Sequence, residues 1–208
     1  MQELFSLIRD LQKSEVKQII KNRISEFSLI KKSTKKKMFE ELCFCIMTAN
    51  CSAEKCIEVQ ELAADGFHDL VEEELAKTLQ SFGYRFPNIR AKYIVQARQY
   101  KEELYTLINS KINHLELREW LVKNIKGIGY KEASHFLRNI GFTEYAIIDF
   151  HILDLLAKYQ QIKKPKTLTK THYLEIEKIL KGIGKKLHLN LAQLDLFLWY
   201  IETGKILK

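Results

Sequence analysis

The sequence predicts an all-α protein. Apolar residues recur every three to four positions along most of the chain, and only 2 of its 208 residues are proline; both features are typical of amphipathic helices. Hydrophobic residues make up 46% of the chain and charged residues 29%, a balance that is usual in compact globular proteins. We therefore expect a helical protein that is long enough to bury a real core.

The charge of the chain favours a polyanionic partner, because its formal net charge is +8. A basic balance of this size makes nucleic acid the leading candidate. No apolar run approaches the roughly 20 residues needed to span a bilayer, and the N-terminus lacks the layout of a signal peptide. We expect an intracellular, cytoplasmic protein.

The N-terminal stretch is interpreted as scaffold, and a basic run follows it. Residues 1–31 show helical spacing of apolar side chains, with Ser14 as a possible cap between two helices. The following run, Lys31–Lys37, contains five lysines. We favour a solvated loop and helix start for this run over an edge that contacts phosphate.

Met38 to Ala49 is apolar around much of its circumference, which predicts a buried central helix. In the segment that follows, Asn50 or Ser52 is expected to cap a helix that begins near Ala53.

Four cysteines lie in or near this helix: Cys43, Cys45, Cys51 and Cys56. The first two point to different sides of a helix and no Cys-x-x-Cys is present, so the spacing favours buried thiols in a reducing compartment over a metal site. No metal and no cofactor are expected.

Two short helices, over 53–65 and 71–82, are punctuated by Gly66 and Gly83. Residues 83–93 then mix aromatic and cationic side chains ahead of a helix whose first turn contains Pro87 and which runs to about Lys101. Phe86 lies at the mouth of that helix. It is interpreted either as a ring that stacks on a nucleic-acid base or as an ordinary core phenylalanine.

The stretch from Leu117 to Gly141 predicts two helices joined by a tight hairpin at Gly127-Ile128-Gly129. Outward-pointing amides at the hairpin and at the start of the second helix suit a phosphate oxygen, and Lys126 adds a full charge beside them. Backbone amides contact only phosphate and sugar, so the hairpin would bind DNA without recognising its sequence.

Two further residues near the hairpin have unusual or informative positions. Lys131 lies in the first turn of the second helix, where the helix N-terminus disfavours a cation. Asp149 follows a short apolar run and precedes another apolar repeat, which predicts a helix N-cap. Taken alone, Lys131 is interpreted as a solvated lysine and Asp149 as an ordinary helix cap.

The C-terminal part predicts a helix over 171–180, a helix stop at Lys181-Gly182-Ile183-Gly184, and a last helix from Leu191 to about Thr203. Asp195 and Trp199 are four residues apart and share a face of that last helix. An indole can stack on a purine, and a carboxylate can accept protons from the pairing edge of guanine. The alternative is a core tryptophan beside a salt-bridged aspartate.

Together these elements resemble a known family. The segment Lys126–Lys131 with Asp149-x-His151 resembles the helix-hairpin-helix DNA glycosylase superfamily, and the terminal Leu-Asp-Leu, Trp-Tyr and Thr-Gly-Lys elements at 194–205 resemble its archaeal-type Ogg branch, the 8-oxoguanine DNA glycosylase/lyases. The resemblance implies an all-α fold of two helical subdomains, approximately 34–135 and 1–33 plus 136–208, that flank a DNA-binding cleft.

The resemblance also implies roles for single residues. Lys131 and Asp149 would be the catalytic pair, and Asn50 a candidate to fill the vacated base stack. Base recognition would involve Phe86, Asp195, Trp199 and Lys208, and DNA binding would involve Asn50, Lys126, Gly127 and Gly129. The partner would be double-stranded DNA that contains 8-oxoguanine, bound by a monomer.

Two alternatives to this function remain open. One is a non-catalytic helix-hairpin-helix DNA-binding module. The other is an endonuclease III-like glycosylase for oxidised pyrimidines, which the missing C-terminal cysteine cluster argues against.

Overall fold

The structure is a computed structural model that describes residues 2–208, and every regular element in this range is helical. The predicted all-α fold class is therefore confirmed. The chain divides into two compact units: Ile30–Phe136 forms one, and the N-terminal stretch up to Leu29 together with Leu137–Lys208 forms the other. No helix among residues 2–208 is both long and apolar enough to cross a membrane.

In chain order, the helices are α1 (Gln2–Leu11), α2 (Val16–Lys31), α3 (Lys35–Thr48), α4 (Ala53–Ala63), α5 (Gly66–Asp69), α6 (Glu72–Ser81), α7 (Pro87–Ala97), a 3-10 turn (Arg98–Tyr100), α8 (Lys101–Asn109), α9 (His114–Asn124), α10 (Tyr130–Asn139), α11 (Phe150–Lys158), α12 (Lys170–Leu187) and α13 (Leu191–Thr203).

Helix α3 is the core of the unit Ile30–Phe136, and every residue from Met38 to Thr48 is buried. The predicted central helix is thus confirmed. It begins three residues earlier than predicted because Thr34 is its N-cap and accepts a hydrogen bond from the Lys37 amide at 3.3 Å. A threonine at this position satisfies an amide that the first turn leaves without a helical partner.

Three of the four cysteines, Cys43, Cys45 and Cys56, are fully buried free thiols. Burial raises the pKa of the Cys43 thiol well above its usual value. Buried thiols of this kind pack as small apolar side chains.

The basic run at the start of α3 is used for ion pairs within its own unit. Lys35 pairs with Glu102 at 2.6 Å, Lys36 with Asp65 at 2.7 Å and Lys37 with Glu40 at 2.9 Å. These pairs support the solvated helix start that the sequence favours over a phosphate-contacting edge.

The predicted helix stop at 181–184 is wrong, because α12 continues through both glycines to Leu187. Its buried positions Ile176, Leu180, Ile183 and Leu187 keep the helical period across this stretch, so packing outweighs the low helix propensity of glycine. The helix ends at His188, which is left-handed, and the Leu189 amide donates to the Gly184 carbonyl at 2.9 Å.

Candidate functional site

The hairpin between α9 and α10 spans residues 125–129 and depends on Gly127. Gly127 has φ +81°, and a Cβ there would lie 2.5 Å from Tyr93 Cδ2. Any side chain would therefore be strained and would collide with the ring. Gly129 has no left-handed backbone, and Lys126 is exposed at the turn. The hairpin predicted from the sequence is present, with Gly127 as the glycine that its backbone requires.

The amide of Gly129 is already engaged, which corrects the expectation that the hairpin amides are free. It donates to Glu132 Oε2 at 3.1 Å. Glu132 is the third residue of α10, where a glutamate often accepts from the backbone amide of the residue that precedes the helix. That spacing is visible in the sequence and would have identified the bond.

Lys131 lies in the first turn of α10 and is partly buried, with 24% of its side chain exposed. Its Nζ is 3.8 Å from Glu132 Oε1. Burial raises the pKa of the neighbouring Cys56 thiol, whereas the Lys131 charge opposes that rise. The candidate nucleophile is thus a partly buried amine with the Glu132 carboxylate and the Cys56 thiol close to it.

A buried arginine supports the hairpin and the loop after α3, and the sequence pattern did not indicate it. Arg90 donates from Nη2 to the Ala49 carbonyl at 2.8 Å, and its guanidinium lies 5.7 Å from the centre of the Tyr93 ring. Tyr93 in turn lies against Gly127. These contacts join segments about 40 residues apart, so no local spacing could reveal them.

The polar residues of the loop after α3 have different structural roles. Ser52 is the N-cap of α4 and accepts from the Lys55 amide at 3.3 Å, so the predicted cap is the serine. Asn50 is exposed and left-handed, with φ +62°. The other role considered for Asn50, that of entering the DNA stack, stays a prediction.

Phe86 occupies the N-cap position of α7, and Pro87 is in the first turn as predicted. The ring is half-buried, and the Arg85 guanidinium lies 4.9 Å from its centre. Phe86, Asn50, Lys126, Gly127, Gly129 and Lys131 all belong to the unit Ile30–Phe136.

In the second unit, Asp149 is the N-cap of α11, and its Oδ1 accepts from the Ile152 amide at 2.9 Å. The predicted cap is confirmed. The next residue, Phe150, exposes 65% of its surface. This exposed ring lies beside Asp149 in the Asp-x-His element, and the sequence pattern did not indicate its exposure.

Helix α13 brings Trp199 next to the residues that follow Asp149. The His151 ring meets the Trp199 indole edge-on, with centroids 5.4 Å apart, and His151 Nδ1 lies 3.8 Å from Glu202 Oε1. The indole is half-buried, and its N–H finds no acceptor among residues 2–208. The Nε1 atom itself is buried, so the N–H is an unsatisfied buried donor.

Asp195 forms a buried ion pair, which agrees with the alternative interpretation of its place in the last helix. The Arg138 Nη1 lies 3.0 Å from Asp195 Oδ2, and the two side chains are 4% and 11% exposed. Lys208 is half-buried at the end of the chain, beyond Gly204, whose φ of +71° turns the backbone out of α13. Asp149, Asp195, Trp199 and Lys208 all belong to this second unit.

Comparison with known proteins gives a consistent result. The family model described as 8-oxoguanine DNA glycosylase matches residues 20–189. The 8-oxoguanine DNA glycosylase/AP lyases of Korarchaeum cryptofilum and Methanocaldococcus jannaschii are each 50% identical to this chain, over 99% of it and over 98% and 99% of their own lengths.

Solved structures agree with these relatives. The Methanocaldococcus jannaschii 8-oxoguanine glycosylase/lyase in complex with a 15mer DNA containing 8-oxoguanine is 49% identical, with a TM-score of 0.95, and the match covers 99% of this chain and 100% of that one. The 8-oxoguanine DNA glycosylase of Thermotoga maritima is 39% identical with a TM-score of 0.93, over 100% and 99% of the two chains.

Proposed function

Because the chain belongs to the 8-oxoguanine DNA glycosylase family, we propose that it excises 8-oxoguanine from double-stranded DNA and then cleaves the strand at the abasic site. The observation that carries this proposal is the position of Lys131, a sheltered amine in the first turn of the helix that follows the hairpin. We infer that it acts as a cytoplasmic monomer, without a cofactor or a metal.

The first chemical step requires the damaged nucleotide to leave the duplex, since C1′ of a stacked nucleotide is out of reach. Lys131 Nζ, as the neutral amine, attacks C1′, and the bond from C1′ to N9 breaks with its electron pair going to the base. The base takes up a proton and departs. Covalent capture divides a difficult hydrolysis into two easier steps.

Asp149 supports this step electrostatically. Positive charge develops on the sugar as the glycosidic bond breaks, and a carboxylate stabilises that charge. The Ile152 amide, which donates to Asp149, holds the carboxylate in one orientation. A fixed carboxylate needs no reorganisation when the charge appears.

The second step uses the same lysine. The sugar ring opens to give a Schiff base between Nζ and C1′, with O4′ taking a proton. Loss of a proton from C2′ then expels the 3′ phosphate by cleavage of C3′–O3′, which is β-elimination. Water finally hydrolyses the imine and frees Lys131.

Recognition of the base is assigned to Phe86, Asp195, Trp199 and Lys208. The half-buried Trp199 indole offers a ring on which a purine could stack. Deletion of Lys208 is expected to lower excision of 8-oxoguanine more than cleavage of a pre-made abasic site, because only the first reaction needs the base. Equal loss on both substrates, or no loss, would show that the tail is only packing.

A glycosylase assay separates this proposal from its alternatives. Duplexes with 8-oxoguanine, with an oxidised pyrimidine or with no lesion are incubated with the protein, and free base and cleaved strand are measured. We expect base release from the first duplex. Binding without any product would indicate a DNA-binding module, and preference for the pyrimidine lesion an endonuclease III-like activity.

A further inference from the structure

Helix α12 and the start of α13 border an open pocket of about 440 Å³. Three lysines of α12, Lys178, Lys181 and Lys185, line it. Their spacing of three and four residues places them on one face of the helix. Glu144 also lines the pocket, and its Oε2 lies 3.8 Å from Lys181 Nζ. Within the part of the chain that the structure describes, no carboxylate pairs with Lys178 or Lys185.

This arrangement differs from that of the other lysine-rich segment. Lys35, Lys36 and Lys37 each have a carboxylate within 3 Å. Lys181 is 69% exposed at its side chain and has only the longer contact. Cations gathered on one helix face repel one another, and an anion bound among them would relieve that repulsion.

Gly182 provides a second, independent observation. It lines the pocket in the interior of α12, its backbone is not left-handed, and a Cβ there would meet nothing within 4 Å. By contrast, a Cβ on Gly184 would lie 2.7 Å from the Leu189 carbonyl oxygen. The fold thus requires glycine at 184 but not at 182, although glycine weakens a helix interior relative to alanine.

A position without a side chain lets an external group approach the helix backbone closely. The N-terminus of α13, capped by Asn190, borders the same pocket and adds partial positive charge. Trp199 lies nine positions after Asn190, which corresponds to roughly 13 Å along the helix. For a DNA strand that runs parallel to α13, this distance corresponds to about four nucleotides at about 3.4 Å each.

We propose that the pocket of Lys178, Lys181, Gly182 and Lys185 binds a backbone phosphate of duplex DNA a few nucleotides from the damaged base. The pocket belongs to a different unit from the hairpin, and the proposal rests on the proposed function in so far as it takes DNA as the ligand. The lysines neutralise the phosphate, and Gly182 leaves room for it.

The first test is the salt dependence of binding. A duplex carrying a tetrahydrofuran abasic-site analogue, which the enzyme cannot cleave, is titrated at salt concentrations from about 50 to about 200 mM. Lys181→Gln/Lys185→Gln is expected to reduce the slope of log affinity against log salt by about 1, because each neutralised phosphate contributes roughly 0.9 to that slope and the pocket binds one phosphate. The matched control is Lys17→Gln/Lys21→Gln, an exposed pair of the same spacing on α2, which should leave the slope unchanged. Equal slopes for the two double variants would overturn the proposal.

Two further arms identify the ligand and the role of Gly182. Saturable binding of inorganic phosphate that Lys181→Gln/Lys185→Gln abolishes, with an unchanged DNA slope, would assign the pocket to a free anion and refute the DNA proposal. Gly182→Ala is expected to raise Tm by about 2–4 °C while weakening binding of the same duplex several-fold. Unchanged DNA affinity in this well-folded variant would contradict the close approach.

Single-turnover excision of 8-oxoguanine at saturating wild-type enzyme is measured in parallel. Tight binding of the abasic analogue without any excision would contradict the proposed function and still leave the salt slopes interpretable. The two failures are therefore distinguishable.

Discussion

Breaking the ion pair between Arg138 and Asp195 should destabilise the protein strongly. The pair is 3.0 Å long, with side chains 4% and 11% exposed, and the guanidinium also lies 4.8 Å from the centre of the Phe27 ring. Arg138→Met keeps much of the packing but removes the cation that pairs with the Asp195 carboxylate. Removing one partner of a buried pair costs about 3–5 kcal/mol.

The lower end of that range applies here, because Asp195 keeps some access to water. For a chain of this length, each kcal/mol lowers Tm by roughly 2–4 °C, so Arg138→Met should melt about 6–12 °C below the wild type. Thermal melting and urea unfolding at pH 7 measure the change. The control Arg9→Met, an exposed arginine on α1, should shift Tm by no more than about 2 °C, as surface substitutions usually do.

A double change tests the physical reason. Arg138→Met/Asp195→Leu leaves no buried charge unpaired, so it should recover much of the stability that Arg138→Met removes. If the losses of the two single variants add up in the double variant, the Arg138 and Asp195 side chains are not coupled and the ion pair does not explain the destabilisation. The outcome also bears on catalysis, since Arg138 fixes the carboxylate that we assign to base recognition.

Two further predictions concern the unit Ile30–Phe136. Gly127→Ala should lower the free energy of unfolding, measured in urea, by at least about 1–3 kcal/mol, because its φ is +81° and Tyr93 blocks the Cβ. Gly129→Ala, at a position whose backbone is not left-handed, is the control. Equal losses in the two variants would show that the left-handed backbone of Gly127 is not the cause. The pKa of His68 is lowered from 6.5 by burial and by the Lys101 charge, against the opposing effect of Glu40. The unfolded chain then takes up the proton first, so His68 makes stability fall as pH drops below about 6.5. His68→Gln should reduce the loss in the free energy of unfolding between pH 7.5 and 5; an unchanged loss would refute this role.

Local patterns in the sequence were sufficient for the elements that short-range physics determines. The hairpin, the Asp149 cap and the proline in the first turn of α7 all follow from spacing over a few residues. The stop predicted near Gly182 failed, because burial on both sides of the glycine keeps α12 intact.

What could not be predicted from the sequence depends on contacts between distant segments. Arg90 reaches a carbonyl 41 residues away, and Arg138 a carboxylate 57 residues away. From sequence alone, an arginine is expected to be exposed, because arginines are rarely buried unless they are paired. A salt-bridged Asp195 is one of the two interpretations that the sequence supports. Its partner, Arg138, is known only from the folded structure.

We propose Lys131 as the nucleophile, and borohydride trapping is the sharpest test of this role. Reduction of the Schiff base on a duplex containing 8-oxoguanine should link wild-type protein to DNA covalently. The Lys123→Gln control, an exposed lysine in the last turn of α9, should trap like the wild type. We predict no adduct with Lys131→Gln; an adduct that persists undiminished in that variant would contradict the account.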